Sequence, residues 1–372
     1  MKASSLFPSR ILMTADAVGG VWTYALELAR ALASERVKIA LAVMGPPPTP
    51  AQRAEAGRLT NLTLHEAPFA LEWMDDPWVD VDRAGDWLLE LAEDFRPEVV
   101  HLNGYAHAAL PWAAPVVVVA HSCVFSWWSA VRPDAVPPSY KEYRRRVAEG
   151  LAAAALVVAP TAAMLAALTE HYGESAAGWV IHNAGDARRF VPGPKKPQIL
   201  AAGRAWDEAK NLAGLNAVAP QVRWPIHLAG ECHHPDGGGT ARFDHVHCLG
   251  KLDAARMRAR LAESAIYALP ARYEPFGLSA LEAGLSGCAL VLGDIPSLRE
   301  VWGDAAVFVT PGDQAALARN LNALIDDQAR WNDLGQRARA RALEFTPAKM
   351  TARYLEAYRF CLVEQPAEAV AA

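Results

Sequence analysis

"RYEPFGLSALEAG" occupies residues 272–284. The run before it, "SAIYALPA" (264–271), is apolar and of strand length. After the Pro-Phe-Gly turn signal, from Leu278 onward, apolar residues return with helical spacing. The stretch is therefore the turn of a strand–turn–helix unit, and outward from it the unit recurs. "ILAAGR" (199–204), "PIHLAGE" (225–231), "VHCLGKL" (246–252), "CALVLGD" (288–294) and "AVFVTPG" (306–312) read as strands. Helices fall between them near 208–219, 253–263, 278–286, 296–301 and 313–326. An earlier series places strands at 10–15, 37–45, 62–68, 98–104, 115–122, 155–161 and 179–185, with helices at 19–35, 84–97 and near 139–154. "PPPTPAQ" (46–52) reads as a loop. "PVVVVAHS" (115–122) has a β-branched centre, as in a strand covered on both faces. Such alternation predicts parallel, doubly wound α/β sheets.

The chain has 372 residues, too many for one ordinary core. "ARRFVPGPKKPQ" (187–198), rich in proline and charge, reads as a linker between the two series. The expected organisation is an N-terminal Rossmann-like domain (1–186), the linker (187–198), a C-terminal Rossmann-like domain (199–346) and a last helix with a frayed tail (347–372). Strand C-termini of both domains would face a central cleft.

Composition narrows the function classes. A 52% hydrophobic, 21% charged chain suits a soluble globular protein. Its five cysteines have no framework spacing, which suggests a reducing, cytoplasmic compartment. The N-terminus is a poor signal peptide, and "AALPWAAPVVVVA" (108–120) is too short to span a bilayer. Positions 1–183 hold 14 basic and 20 acidic residues. That excess argues against nucleic acid as partner and leaves at most peripheral contact with membranes. "YKEYRRRVAEG" (140–150) reads as a solvated helix face despite its local basic charge.

Each series opens on a turn suited to a ligand. "TADAVGGVW" (14–22) sets Gly19 and Gly20 between strand and helix, where bare backbone approaches a ligand and unpaired N–H groups face an anion. It is not GxGxxG, and a tight turn is the plain alternative. In "AGRAWDEAKN" (202–211), Arg204 leaves the strand and Lys210 follows six positions later. A planar fork and a point charge suit a diphosphate, with ion pairs to Asp207 or Glu208 as the alternative. His121 ends "VVVVAH", where it can meet a sugar hydroxyl or serve as a satisfied structural histidine; His101 stands likewise on the preceding strand. In the opening stretch Glu274 sits in the turn and Glu282 about one turn into the helix. The N–H groups around Phe276, Gly277 and Leu278 would take an anion, and the carboxylates would grip neutral hydroxyls on either side.

"EPFGLSALEAG" resembles the glutamate, seven residues, glutamate signature of retaining GT-B glycosyltransferases of family 4, the group 1 glycosyl transferases. The likeness extends through "DAVGGVWTYALELARAL", "VVVVAHS", "VVAPTAAML", "VIHNAGDARRF", "AAGRAWDEAKN" and "EAGLSGCALVLGDIPSLREV", roughly residues 10 to 330. The resemblance implies that Glu282 holds the nucleotide ribose and Glu274 the donor hexose. It implies that Arg204 and Lys210 bind the diphosphate, that Gly19 and Gly20 make the close approach, and that His121 lies near the reacting centre. It implies a last helix that crosses back to the N-terminal domain. The implied reaction moves a hexosyl unit, with retention, from a nucleoside-diphosphate sugar to a hydroxyl of a sugar, glycan or lipid-linked acceptor. No metal or other cofactor is expected. A sugar-nucleotide epimerase, a disaccharide phosphorylase and a non-catalytic partner protein of the same fold are the alternatives.

The chain departs from the family pattern at Lys210-Asn211, where Lys-Gly is usual, at "NAGD" (183–186), at "AGLSGCA" (283–289), which lacks a proline, and at "DIPSLRE" (294–300). Trp22, Trp127 and Trp128 are candidate acceptor platforms near the first-domain loops. Two metal patterns are weighed and set aside. "DVD" (80–82) lies in an acidic segment instead of after a strand, and "CHHPDGGGTARFDHVHC" (232–248) reads as a polar surface loop.

Overall fold

The computed structural model describes residues 7–174, 177–231 and 242–364. In chain order its elements are β1 (Arg10–Asp16), α1 (Gly20–Leu32), β2 (Lys38–Met44), α2 (Pro50–Ala56), β3 (Leu62–Glu66), α3 (Trp78–Phe95), β4 (Val99–Leu102), β5 (Val116–Val119), α4 (Val124–Val131), α5 (Lys141–Ala153), β6 (Leu156–Ala159), α6 (Ala162–Tyr172) and β7 (Gly178–Val180). Then follow β8 (Lys196–Ala202), α7 (Leu212–Val218), β9 (Ile226–Ala229), β10 (His247–Gly250), α8 (Ala254–Glu263), β11 (Ser264–Leu269), α9 (Leu278–Leu285), β12 (Ala289–Gly293), α10 (Pro296–Trp302), β13 (Val307–Val309), α11 (Gln314–Ile325), α12 (Gln328–Ala342) and α13 (Pro347–Glu364).

The strands form two sheets, ordered β3-β2-β1-β4-β5-β6-β7 and β10-β9-β8-β11-β12-β13. Every strand pair is parallel. The central strands are buried on both faces: Val117 and Val118 of β5, and Ile266 through Leu269 of β11, are 0% exposed. Residues alternate in neither run, because helices cover both sides of each sheet. The strand order reverses direction beside β1 in one sheet and beside β8 in the other. A crevice opens at the strand C-termini at such a point.

The chain divides into two compact units. One holds residues up to 126, 134–182 and 347 onward; the other holds 127–133 and 183–346. In the first, α13 buries Tyr354, Ala357 and Tyr358 completely. In the second, a core around β8, β11 and β12 includes Phe276, Leu281 and Trp302.

Several local readings are corrected. Residues 50–56 form α2, which begins within the segment read as a loop (46–52). Thr49 accepts from the Gln52 backbone while the Gln52 side chain caps Thr49, with Pro50 at the first position. α3 starts at Trp78 instead of 84, since its N-cap, Pro77, offers no side-chain signal. Residues 124–131 form α4, and 328–342 form α12, neither read from the sequence. β8 begins at Lys196, inside the expected linker, because Ser264 of β11 pairs with Lys196 and the Lys196 ammonium meets Glu263. The basic run in α5 is ion-paired: Arg145 bonds Glu142 and Glu149, and Arg146 bonds Glu142 and Asp82.

Candidate active site

The second unit gathers three of the sequence candidates at its sheet's reversal point. Arg204 follows β8, Lys210 ends a 3-10 turn (Glu208–Lys210), and Glu274 follows β11. Two loops bring them together. The Arg272 amide donates to the Ala209 carbonyl at 2.7 Å, and the Asn211 side chain donates to the Pro270 carbonyl at 2.9 Å. Lys210 Nζ then lies 2.6 Å from Glu274 Oε2, both side chains 13% exposed. Glu274 Oε1 accepts the Gly277 amide at 3.1 Å, and its carbonyl accepts Ser297 Oγ at 2.6 Å.

Arg204 forms the ion pair that was the plain alternative: it donates to Asp207 Oδ2 at 2.8 Å. Asp207 Oδ1 also accepts from Trp127 Nε1 at 3.0 Å and from the Ala209 amide at 3.0 Å. Burial opposes the charge on Asp207. The Lys210 and Arg204 charges and the Trp127 and Arg204 hydrogen bonds outweigh it, holding the carboxyl below its ordinary range. The Arg204 guanidinium lies 5.2 Å from the Trp206 ring centre. Asp207 is thus a functional candidate hidden behind its role as an ion-pair partner, and only its position between Arg204 and Lys210 hints at it.

At the head of α9, Gly277 takes φ +90°, a left-handed conformation that an L side chain resists. The side chain of Phe276 belongs to the core, 2% exposed and edge-on to Phe345. Any contact from Phe276 to a ligand must therefore come from its backbone. Leu278 and Glu282 are half-buried. Burial foremost, then the charges of Glu274 and Glu282, raise the pKa of Tyr267, whose hydroxyl donates to Ser279 Oγ at 2.8 Å. Both glutamates thus lie within electrostatic reach of one point. Asn211 holds φ 52°. The left-handed turn that glycine would make survives with asparagine in its place.

In the first unit, Asp16 Oδ1 accepts the amides of Val18 (2.8 Å) and Gly19 (3.3 Å), shaping the turn into α1. Gly19 is the N-cap and Gly20 the exposed first residue. A pocket of about 60 Å³ opens at the ends of β1, β2 and β4. Thr14, Asp16, Glu72 and Asn103 are its polar walls, and Leu71 and Trp73 are among the apolar ones. Among the described residues no lysine or arginine lines it. Glu72 accepts the Tyr105 and Ala106 amides. His121 Nε2 lies 2.8 Å from Asn103 Oδ1, with the Tyr24 ring packed against it at 4.4 Å. His101, by contrast, is wholly buried between the Tyr24 and Tyr358 hydroxyls, at 3.2 and 2.8 Å. Burial lowers both histidines to about 3.

The tryptophan expectations change. Trp22 is 4% exposed and buried in α1, so it offers no platform. Trp127 and Trp128 fall within the second unit, where Trp127 is engaged with Asp207 and Arg132 lies over both rings. Among the described residues no group of three or more His, Cys, Asp or Glu could hold a metal. Asp80 accepts the Ala70 amide and Asp82 pairs with Arg146. Cys232, His233 and His234 lie outside the described residues; His247 stacks on His227. No described helix is long and apolar enough to cross a membrane.

Residues 18–189 match the family described as Glycosyltransferase Family 4, and residues 242–341 match Glycosyl transferases group 1. Glycogen synthase of Mycobacterium tuberculosis is 29% identical over 288 residues, covering 70% of this chain and 68% of its own. The MMP alpha-(1->4)-mannosyltransferase of Mycolicibacterium hassiacum is 36% identical over 104 residues, covering 27% of this chain and 25% of its own. Among solved structures, sucrose-phosphate synthase from Thermosynechococcus elongatus superposes with TM-score 0.79 at 16% identity, covering 94% of this chain and 98% of that one. Anabaena HepE in complex with UDP-glucose superposes with TM-score 0.75 at 16% identity, with the same coverage. These likenesses establish a GT-B fold.

Proposed function

The chain belongs to the family 4, group 1 glycosyltransferases, and on that premise we propose that it moves a hexosyl unit from a nucleoside-diphosphate sugar to a hydroxyl of a sugar, glycan or lipid-linked acceptor, with retention and without a metal. The observation that carries this reading is the meeting of Lys210 and Glu274 at 2.6 Å at the head of α9. A cation for a diphosphate and a carboxylate for sugar hydroxyls stand side by side, each neutralising the other until a donor arrives. The diphosphate would take over Lys210 and Arg204, and Glu274 would turn to the hexose. Charge growing on the leaving diphosphate would be met by those cations and by backbone N–H groups, with no metal needed for neutralisation. A donor phosphate oxygen would accept the acceptor's proton during front-side attack.

The cation-free pocket of the first unit favours a neutral, hydroxyl-bearing acceptor over a phosphorylated one. The four described cysteines are free, which suits the cytoplasm. HepE was solved with UDP-glucose, so that donor is the first to try. The test is nucleoside-diphosphate release from a panel of sugar nucleotides after exhaustive EDTA treatment, with the product anomer read by NMR. Turnover should persist and the donor's anomeric configuration be kept. Activity lost to EDTA and restored only by manganese or magnesium would reject the metal-free mechanism, and an inverted product would reject retention. Sugar-nucleotide binding without turnover on any acceptor would favour the non-catalytic alternative.

A further inference from the structure

Asn103 follows β4 and lines the first unit's pocket, and its amide orientation is settled by its neighbours. Its backbone amide donates to Thr14 Oγ1 at 2.9 Å. Its side-chain Nδ2 donates to the Thr14 carbonyl at 2.6 Å. A flipped amide would set two oxygens against each other there, so Oδ1 is the atom that faces His121. An oxygen 2.8 Å from His121 Nε2 requires the proton to sit on that nitrogen. The other nitrogen, Nδ1, has no hydrogen-bond partner among the described residues.

The geometry points to Asn103 as a positioning residue that locks His121 in the tautomer protonated on Nε2, leaving Nδ1 as a hydrogen-bond acceptor for a hydroxyl of the bound sugar. The substrate half of this rests on the glycosyltransfer reading; the tautomer half does not. A bare ring nitrogen accepts from a hydroxyl and repels an unprotonated phosphate oxygen. Tyr24 fixes the plane of the His121 ring from one side, and Tyr24 is itself tied to His101. Burial keeps His121 neutral at physiological pH, so it serves as a fixed acceptor and not as the base that removes the acceptor's proton.

The test begins with the wild-type full chain. Long-range proton–nitrogen correlation spectra at neutral pH, with His121 assigned by its disappearance in His121→Gln, read the tautomer directly. A protonated Nε2 and a pyridine-like Nδ1 are expected. A proton on Nδ1 would overturn the assignment. Asn103→Leu should release the ring to a mixture of tautomers. Asn103→Leu should lower kcat about tenfold while leaving the Kd for UDP within about twofold. An unchanged tautomer or an unchanged kcat in Asn103→Leu would overturn the positioning role. Should no sugar nucleotide be turned over, the glycosyltransfer reading fails, and the wild-type and variant spectra still decide the tautomer.

Discussion

Glu274 and Lys210 hold each other at 2.6 Å, and this sets the sign of two mutational effects. Glu274→Ala frees Lys210 for a diphosphate. Free nucleoside diphosphate should therefore bind as well as or better than to the wild type, while turnover of the intact sugar donor collapses. Glu282→Ala should do the reverse and weaken the free nucleotide by about 1–3 kcal/mol through a lost ribose hydrogen bond. Calorimetry with the nucleotide and initial rates with the donor separate the two, and equal weakening by both variants would refute these roles. Arg204 poses a different problem, because it serves both the diphosphate and Asp207, which is 5% exposed. Arg204→Ala should lower kcat by about 10²–10³ at saturating donor. Arg204→Lys should recover little, since one ammonium cannot face Asp207 and a diphosphate with two parallel bonds. A near-normal kcat in the alanine variant would reduce Arg204 to an ion-pair residue.

At the scale of an element, the 3-10 turn into α7 depends on Asn211. Its φ of 52° lies where an ordinary side chain costs about 1–2 kcal/mol. Asparagine tolerates that region and adds a bond to the Pro270 carbonyl, which holds the β11–α9 loop against this turn. Asn211→Ala should lower unfolding stability by roughly that amount in urea titrations and weaken donor use, because Lys210 is the preceding residue. Asn211→Gly keeps the backbone and loses only the bond, so its loss should be smaller. A larger loss in the glycine variant would show that the bond, and not the left-handed backbone, sustains the turn.

At the scale of the whole molecule, buried neutral histidines link stability to pH. His101 in β4 is tied to Tyr358 of α13, and burial lowers it, like His121, to about 3. Above about pH 6.5 neither folded nor unfolded chain protonates them, and they add no pH dependence. Between about 6.5 and about 3 the unfolded chain binds protons that the folded chain refuses, so stability falls as pH falls. Each such histidine contributes up to about 1.4 kcal/mol per pH unit within that window. The thermal midpoint should therefore drop between pH 7 and pH 5. His101→Gln, though less stable at pH 7, should show a shallower drop. An identical slope in that variant would mean that His101 is not the group responsible.

The sequence by itself determined the alternation of strand and helix and the two α/β series, because valine-rich strands and glycine turns are written in local periodicity; the family was legible through the resemblance of its motifs. It also picked out Arg204, Lys210, Glu274 and Glu282, because their spacing matches a recognisable motif. Only the tertiary structure decided what those residues meet. That Lys210 closes on Glu274, 64 positions away, follows from two loops meeting at a sheet reversal, and no local pattern encodes that distance. Asp207 read only as a candidate ion-pair partner until its burial and the donors Arg204, Trp127 and the Ala209 amide gave it a place. Asn103 read as a strand ending before glycine until Thr14, from another strand, set its amide. Trp22 and Trp127 carried the opposite lesson: aromatic side chains advertise a platform in sequence, and only packing shows whether the ring faces solvent, the core or a neighbouring carboxylate.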